Sequence, residues 1–152
     1  MRGYILDTNV YNLVLDGKID LPVLAGPLSY YATHVQMDEL AATPDEDRRD
    51  GLLRRFQAIP AETLPTESLV LDVSRLGHAK VSDGALFSQI RELLDARNNR
   101  KASNTQDALI AETAINNSLT LVTGDGDLLA VTRALGGLAL PPADIGRVGT
   151  TA

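Results

Sequence analysis

Four acidic residues stand where a chain could do chemistry: Asp7 in Ile5-Leu6-Asp7-Thr8-Asn9, Glu39, Asp107 in Asp107-Ala108-Leu109-Ile110-Ala111, and Asp125 in Thr123-Gly124-Asp125-Gly126-Asp127. Each falls at the end of an expected element or on an expected helix. Carboxylates gathered at one edge of a sheet repel one another unless a cation neutralises them. Hard divalent ions such as Mg²⁺ take oxygen ligands. A carboxylate-held Mg²⁺ or Mn²⁺ is suited to phosphodiester hydrolysis, because it both activates water and offsets charge on the phosphate.

The elements that must position these acids follow from the pattern. Tyr4-Ile5-Leu6, Ser29 to Ala32 and Leu119 to Thr123 read as buried strands, with shorter ones at Glu62-Thr63-Leu64 and Leu138-Ala139-Leu140. Helices are expected after Asp7-Thr8-Asn9, whose residue types favour N-caps, and over Thr33–Ala42, Thr105–Asn117 and Asp127–Leu135. Further helices are expected over Ser68–Leu76 and from Ser82-Asp83 through the stripe Leu86, Ile90, Leu93 and Leu94. Asp20 to Leu24 reads as a short helix. Thr43-Pro44-Asp45-Glu46 reads as a capping box opening a helix to Ala58. Asn104 is read as the cap of the Asp107 helix. Strand and helix in alternation predict a parallel sheet covered by helices on both faces. In such sheets ligands bind beyond the carboxyl ends of the strands, where Asp7 and Asp125 fall.

Length and composition bound the rest. The 152 residues fit one domain, read as 1–145 with a loose tail over 146–152. Net charge is −6, which argues against bulk electrostatic capture of nucleic acid but leaves room for a local basic groove. With no cysteine, disulfides and thiolate metal sites are excluded. His34 and His78 lack metal-ligand spacing and read as structural. No apolar run approaches a membrane span or a signal-peptide core, and a cytoplasmic location is expected.

Each acid also has a plain structural reading. Asp7 caps a helix, Glu39 is a solvated helix residue with Asp38 as its rival, Asp107 serves a helix dipole, and Asp125 and Asp127 form a turn. Asp107 shares a face with Ala111 and Ala114, small residues suited to close packing against a sheet. The joint placement of the four carries the argument.

At these residues the chain resembles the PIN-domain family, first named from the PilT N-terminus. Ile5 to Asn9 looks like that family's first motif and Glu39 like its second acid. Asp107 to Ala111 looks like the third motif and Thr123 to Leu128 like the fourth. The resemblance spans roughly Gly3 to Leu129. It departs at Gln36, where the family often has a small hydroxyl residue, and at Leu128, where an aromatic is common. The resemblance implies an α/β fold, a three-layer α/β/α sandwich with a central, mostly parallel sheet. It implies a Mg²⁺- or Mn²⁺-dependent endoribonuclease in which Asp7, Glu39, Asp107 and Asp125 hold metal and an activated water attacks phosphorus. Thr8 and Thr123 would orient water or phosphate, with Asp127 and Asn9 supporting from behind. The expected products carry a 3′-hydroxyl and a 5′-phosphate.

Arg97, Arg100 and Lys101 precede the Asp107 helix and are candidates to contact RNA phosphates. Arg48, Arg49, Arg54 and Arg55 read first as a solvated helix face paired with Asp45, Glu46, Asp47 and Asp50. Many compact members of the family are VapC-type toxins held by an antitoxin, so the resemblance implies such a partner and a homodimer. An RNA-processing nuclease without a toxin role and a catalytically inactive binding module are the alternatives. A haloacid-dehalogenase-like phosphatase would need an acid two residues after Asp7, where Asn9 stands. A dinucleotide-binding domain would need a glycine-rich loop after the first strand.

Overall fold

The computed structural model describes residues 3–24, 28–66 and 84–145. Five strands form one sheet: β1 (Gly3–Leu6), β2 (Ser29–Ala32), β3 (Ala61–Thr63), β4 (Thr120–Val122) and β5 (Leu138–Leu140). Their order across the sheet is β3-β2-β1-β4-β5, and every pairing is parallel. The helices are α1 (Thr8–Leu15), α2 (His34–Ala41), α3 (Glu46–Ala58), α4 (Ala85–Asn98), α5 (Asn104–Asn116) and α6 (Gly126–Ala134). This is the α/β fold that the alternating pattern predicts.

Strand periodicity explains the layers. Successive side chains on a strand point to opposite faces. Ile5 and Leu121 enter one core with Ile90, Leu94 and the apolar residues of α5. Tyr4, Leu6 and Val122 enter the other with Val10, Tyr11, Leu40 and Leu52. Helix α5 is buried almost all round: Ala108, Leu109, Ile110, Ala111 and Ala114 have no exposed surface. Its alanines let it lie close to the sheet. Burial of each large side chain such as Ile90 or Leu94 contributes roughly 1.5–3 kcal/mol.

Three local expectations are corrected. Residues 20–24 are not helical; the Tyr30 hydroxyl donates to the Pro22 carbonyl at 2.7 Å and pins the segment in an irregular path. Helix α3 is capped by Asp45, whose carboxylate accepts from the Arg48 amide, rather than by Thr43. Pro44 sits before that cap and not inside the helix. Helix α5 begins at Asn104 itself, with Ser103 in the cap position. The Asn104 side chain turns back to Asp95 and Asn98 instead of capping. The expected helix over Ser68–Leu76, the start at Ser82-Asp83, His78 and the 146–152 tail lie outside the described residues. Among the described residues, no helix is long and apolar enough to cross a membrane.

Candidate functional site

The strand order places the acids. The chain leaves β1 in one direction across the sheet to reach β2 and β3, and β4 and β5 lie on the other side. The switch therefore falls between β1 and β4, where helices on opposite faces leave a crevice beyond the strand ends. Asp7 directly follows β1 and Thr123 directly follows β4. The Asp7 amide donates to the Val122 carbonyl at 2.8 Å, so the two strand ends are joined at the crevice.

Asp7 is both a cap and a member of the site. One carboxylate oxygen accepts the Thr8 amide at 2.7 Å, closing the first turn of α1. The other accepts the Thr123 hydroxyl at 2.7 Å. Thr123 Oγ1 also accepts the Asp125 amide at 3.0 Å. Asp125 caps α6, accepting the amides of Asp127 and Leu128. Asn9 accepts the Gly124 amide at 3.2 Å and ties α1 to the same turn.

Glu39 and Asp107 join from the flanking helices. The Thr8 hydroxyl donates to Glu39 at 2.9 Å, linking α1 to α2. Asp107 lies in the first turn of α5, only 6% exposed, with the Ser103 hydroxyl 3.4 Å away. Its position on the packed face of α5 follows from the neighbouring small residues, as the sequence suggested.

The acids feel one another. Burial pushes Asp107 well above the usual carboxylate range, and the charges of Asp7 and Glu39 push it further. Burial also raises Glu39 to about 7, with the Thr8 hydroxyl opposing and Asp7 reinforcing. Asp7, 4% exposed, is raised by burial against the hydrogen bonds from Thr123 and Thr8. Asp125 goes the other way. Its partial burial is outweighed by the Leu128 amide, by Lys101 and by the Asp127 amide, and its carboxyl is held low. Such opposed shifts in one crevice mark a functional-site candidate.

The donor set fits a hard divalent cation: four carboxylates, all oxygen, in mutual repulsion. Their side chains as placed are not closed on a single point. Among the described residues, no three Asp, Glu or His side chains stand in an arrangement that would hold a metal ion.

The basic residues divide. Lys101 Nζ lies 3.3 Å from Asp125, and Arg97 Nε lies 3.1 Å from Asp127. Arg100 is exposed beside them. Arg48 pairs with Asp16 at 2.9 Å and donates to Asn12, bracing α3 against α1. The structural reading of Arg48 thus stands, but its partner is Asp16 on another helix and not an acid of its own. Arg49 donates to the Thr43 carbonyl.

One residue central to the geometry is Gln36, which sequence reading treated only as a departure. It is fully buried. Its oxygen accepts both the Thr33 amide and the Thr33 hydroxyl, and its amide donates to the Leu6 carbonyl at 3.1 Å. Gln36 thereby fastens the start of α2, which carries Glu39, to the end of β1, which carries Asp7. The signal was legible as Thr33-x-x-Gln36, a capping-box spacing.

A cavity of about 450 Å³ opens at the opposite edge, around Pro22, Leu24, Tyr30, Ile59 and Pro60. It adjoins the starts of β2 and β3, and none of the four acids lines it. Its walls are mostly apolar.

No protein-family model matches the sequence, and no curated protein matches it. Solved structures do resemble the fold. One is a chain of the crystal structure of VapBC2 from Rickettsia felis bound to a DNA fragment from its promoter. The likeness has a TM-score of 0.58 at 18% identity and covers 91% of this chain and 98% of that one. Others are FitAcB from Neisseria gonorrhoeae (TM-score 0.46, 18% identity, 93% and 99% covered) and FitAB bound to an IR36 DNA fragment (0.46, 18%, 91% and 94%). At this identity the likeness to the VapBC2 chain is one of fold: this protein has the same α/β architecture around a five-stranded parallel sheet.

Proposed function

We propose that this chain is a Mg²⁺- or Mn²⁺-dependent endoribonuclease of the PIN fold, the toxin of a toxin–antitoxin pair. The observation that carries the reading is the meeting of Asp7, Glu39, Asp107 and Asp125 at the β1/β4 switch point. The fold likeness to a chain of VapBC2 supports the toxin assignment, and the four sequence motifs support the family. A homodimer and a cytoplasmic location are part of the same proposal.

The four acids would hold the cation. When bound, it supplies positive charge to the scissile phosphate and acidity to a neighbouring water. The chain's own residues do the rest. Thr123 and the Thr8 amide fix both oxygens of Asp7, so this carboxylate is oriented before any ion arrives. The Thr8 hydroxyl does the same for Glu39. Without the cation burial raises Glu39 to about 7, and binding of the cation would hold its carboxylate ionised. Arg97, Arg100 and Lys101 stand at the lip of the crevice to receive RNA phosphates. Asp127 serves from outside by holding Arg97.

A second reading is a catalytically inactive module that binds RNA or a protein through the same edge. The open arrangement of the carboxylates favours it. Cleavage of single-stranded and structured RNA by the purified protein separates the two. The nuclease reading predicts cutting with Mn²⁺ or Mg²⁺, none with EDTA, 5′-phosphate ends, and loss in Asp7→Asn. RNA binding without cutting under every metal condition would favour the module.

A further inference from the structure

We propose that Lys101 is a built-in counter-cation of the acid cluster, competing with the divalent ion for Asp125. This rests on the reading of the four acids as a cation site. It concerns how the site behaves before an ion is bound.

The placement of Lys101 is specific. Its ammonium is 3.3 Å from Asp125. Its charge is felt by Asp7, Glu39 and Asp107 as well. The ammonium therefore stands in the field of all four acids.

The connection carrying it is the turn that follows the C-cap of α4 at Asn99. Asn99 and Arg100 both have left-handed backbone, with φ of 57° and 59°. Asparagine tolerates this and arginine does so only at a cost, because its Cβ crowds the following carbonyl. The turn is held by hydrogen bonds on both sides. The Lys101 amide donates to the Asn98 side chain and the Arg100 amide to the Asp95 carbonyl. Asn98 and Asn104 exchange amide hydrogen bonds at 2.9 and 2.8 Å, and the buried Asn104 also donates to Asp95. The clamp fixes where the backbone of Lys101 enters the crevice.

The consequence is competition. Lys101 holds one oxygen of Asp125 and the α6 amides hold the other. A divalent ion must displace the ammonium from Asp125 and suffers its repulsion besides. Removing the charge should therefore tighten ion binding, and keeping it as arginine should not.

The test is Mn²⁺ binding by isothermal titration calorimetry to wild type, Lys101→Met, Lys101→Arg and Asp7→Asn. Lys101→Met is expected to bind Mn²⁺ about tenfold more tightly, the size of a partly screened like-charge repulsion, with Lys101→Arg near wild type. Metal-free Lys101→Met should also melt below wild type, and saturating Mn²⁺ should close that gap. Lys101 is exposed, so the folded state tolerates the change. Equal or weaker Mn²⁺ binding by Lys101→Met, with wild type binding and Asp7→Asn not, would overturn the role of Lys101 alone. No binding by wild type or Lys101→Met would overturn the cation site and this proposal together.

Discussion

Asp107 is a residue whose place in the acid cluster works against stability. It is buried and close to Asp7 and Glu39, so its ionisation is costly in the folded state. Glu39 shares this, with its pKa moved from 4.5 to about 7. An acid raised on folding contributes stability below its unfolded pKa, and that contribution is lost as pH rises through the folded value. Metal-free protein is therefore expected to lose melting temperature between pH 4.5 and about 7. Asp107→Asn removes one of the repelling charges. It should match wild type near pH 4 and exceed it at pH 8 by about 1 kcal/mol, roughly 2–4 °C in Tm. Differential scanning calorimetry across pH checks this; a wild-type Tm that rises toward pH 8 without metal would contradict it. Asp7 and Asp125 also cap α1 and α6, so for these two residues the structural reading holds.

The site is built at the scale of elements by fastening strand ends to helix starts. Gln36 is the clearest fastener, since it joins the end of β1 to the start of α2. Gln36→Ala leaves the Leu6 carbonyl and the Thr33 amide without this partner in a dry interior. Each such loss costs roughly 1–3 kcal/mol, so chemical denaturation should show destabilisation of about 2–4 kcal/mol. A loss below about 0.5 kcal/mol, the size of a surface change, would mean that water or a neighbour replaces it. Much of this scale was legible in sequence. The apolar runs of β1, β2 and β4 and the cap residues after them are local signals, and local signals survive folding. What was missed depends on distant partners. Asn104 looks like a cap, but Asp95 and Asn98 on the preceding helix claim its side chain. Residues 20–24 look helical around Pro22, but Tyr30 on the next strand holds that carbonyl. Arg48 looks paired with acids of its own helix, but Asp16 is closer in space.

For the whole molecule, the arrangement of the sheet decides at which edge the four acids gather. The order β3-β2-β1-β4-β5 puts the switch point beside Asp7, Thr123 and Asp125. The apolar cavity at the other edge adjoins the strand starts and has no acid of the cluster in its walls. The sequence pattern sufficed for the parallel α/β class, since alternation of strand and helix is a property of the chain. The strand order is not written in any local segment, and neither is the meeting of residues separated by 116 positions, such as Thr123 and Asp7.

The central claim is that four acids from four elements form one cation site. It is tested most directly by titrating Mn²⁺ into wild type and into Asp7→Asn, Glu39→Gln, Asp107→Asn and Asp125→Asn at pH 7.5 or so, with proton release read in two buffers. A shared site predicts binding by wild type with release of protons from Glu39 and Asp107. It predicts a loss of affinity of about tenfold or more, some 1.4 kcal/mol, in every variant. Binding that survives unchanged in any two of the four, or wild-type protein that takes up no Mn²⁺, would contradict it.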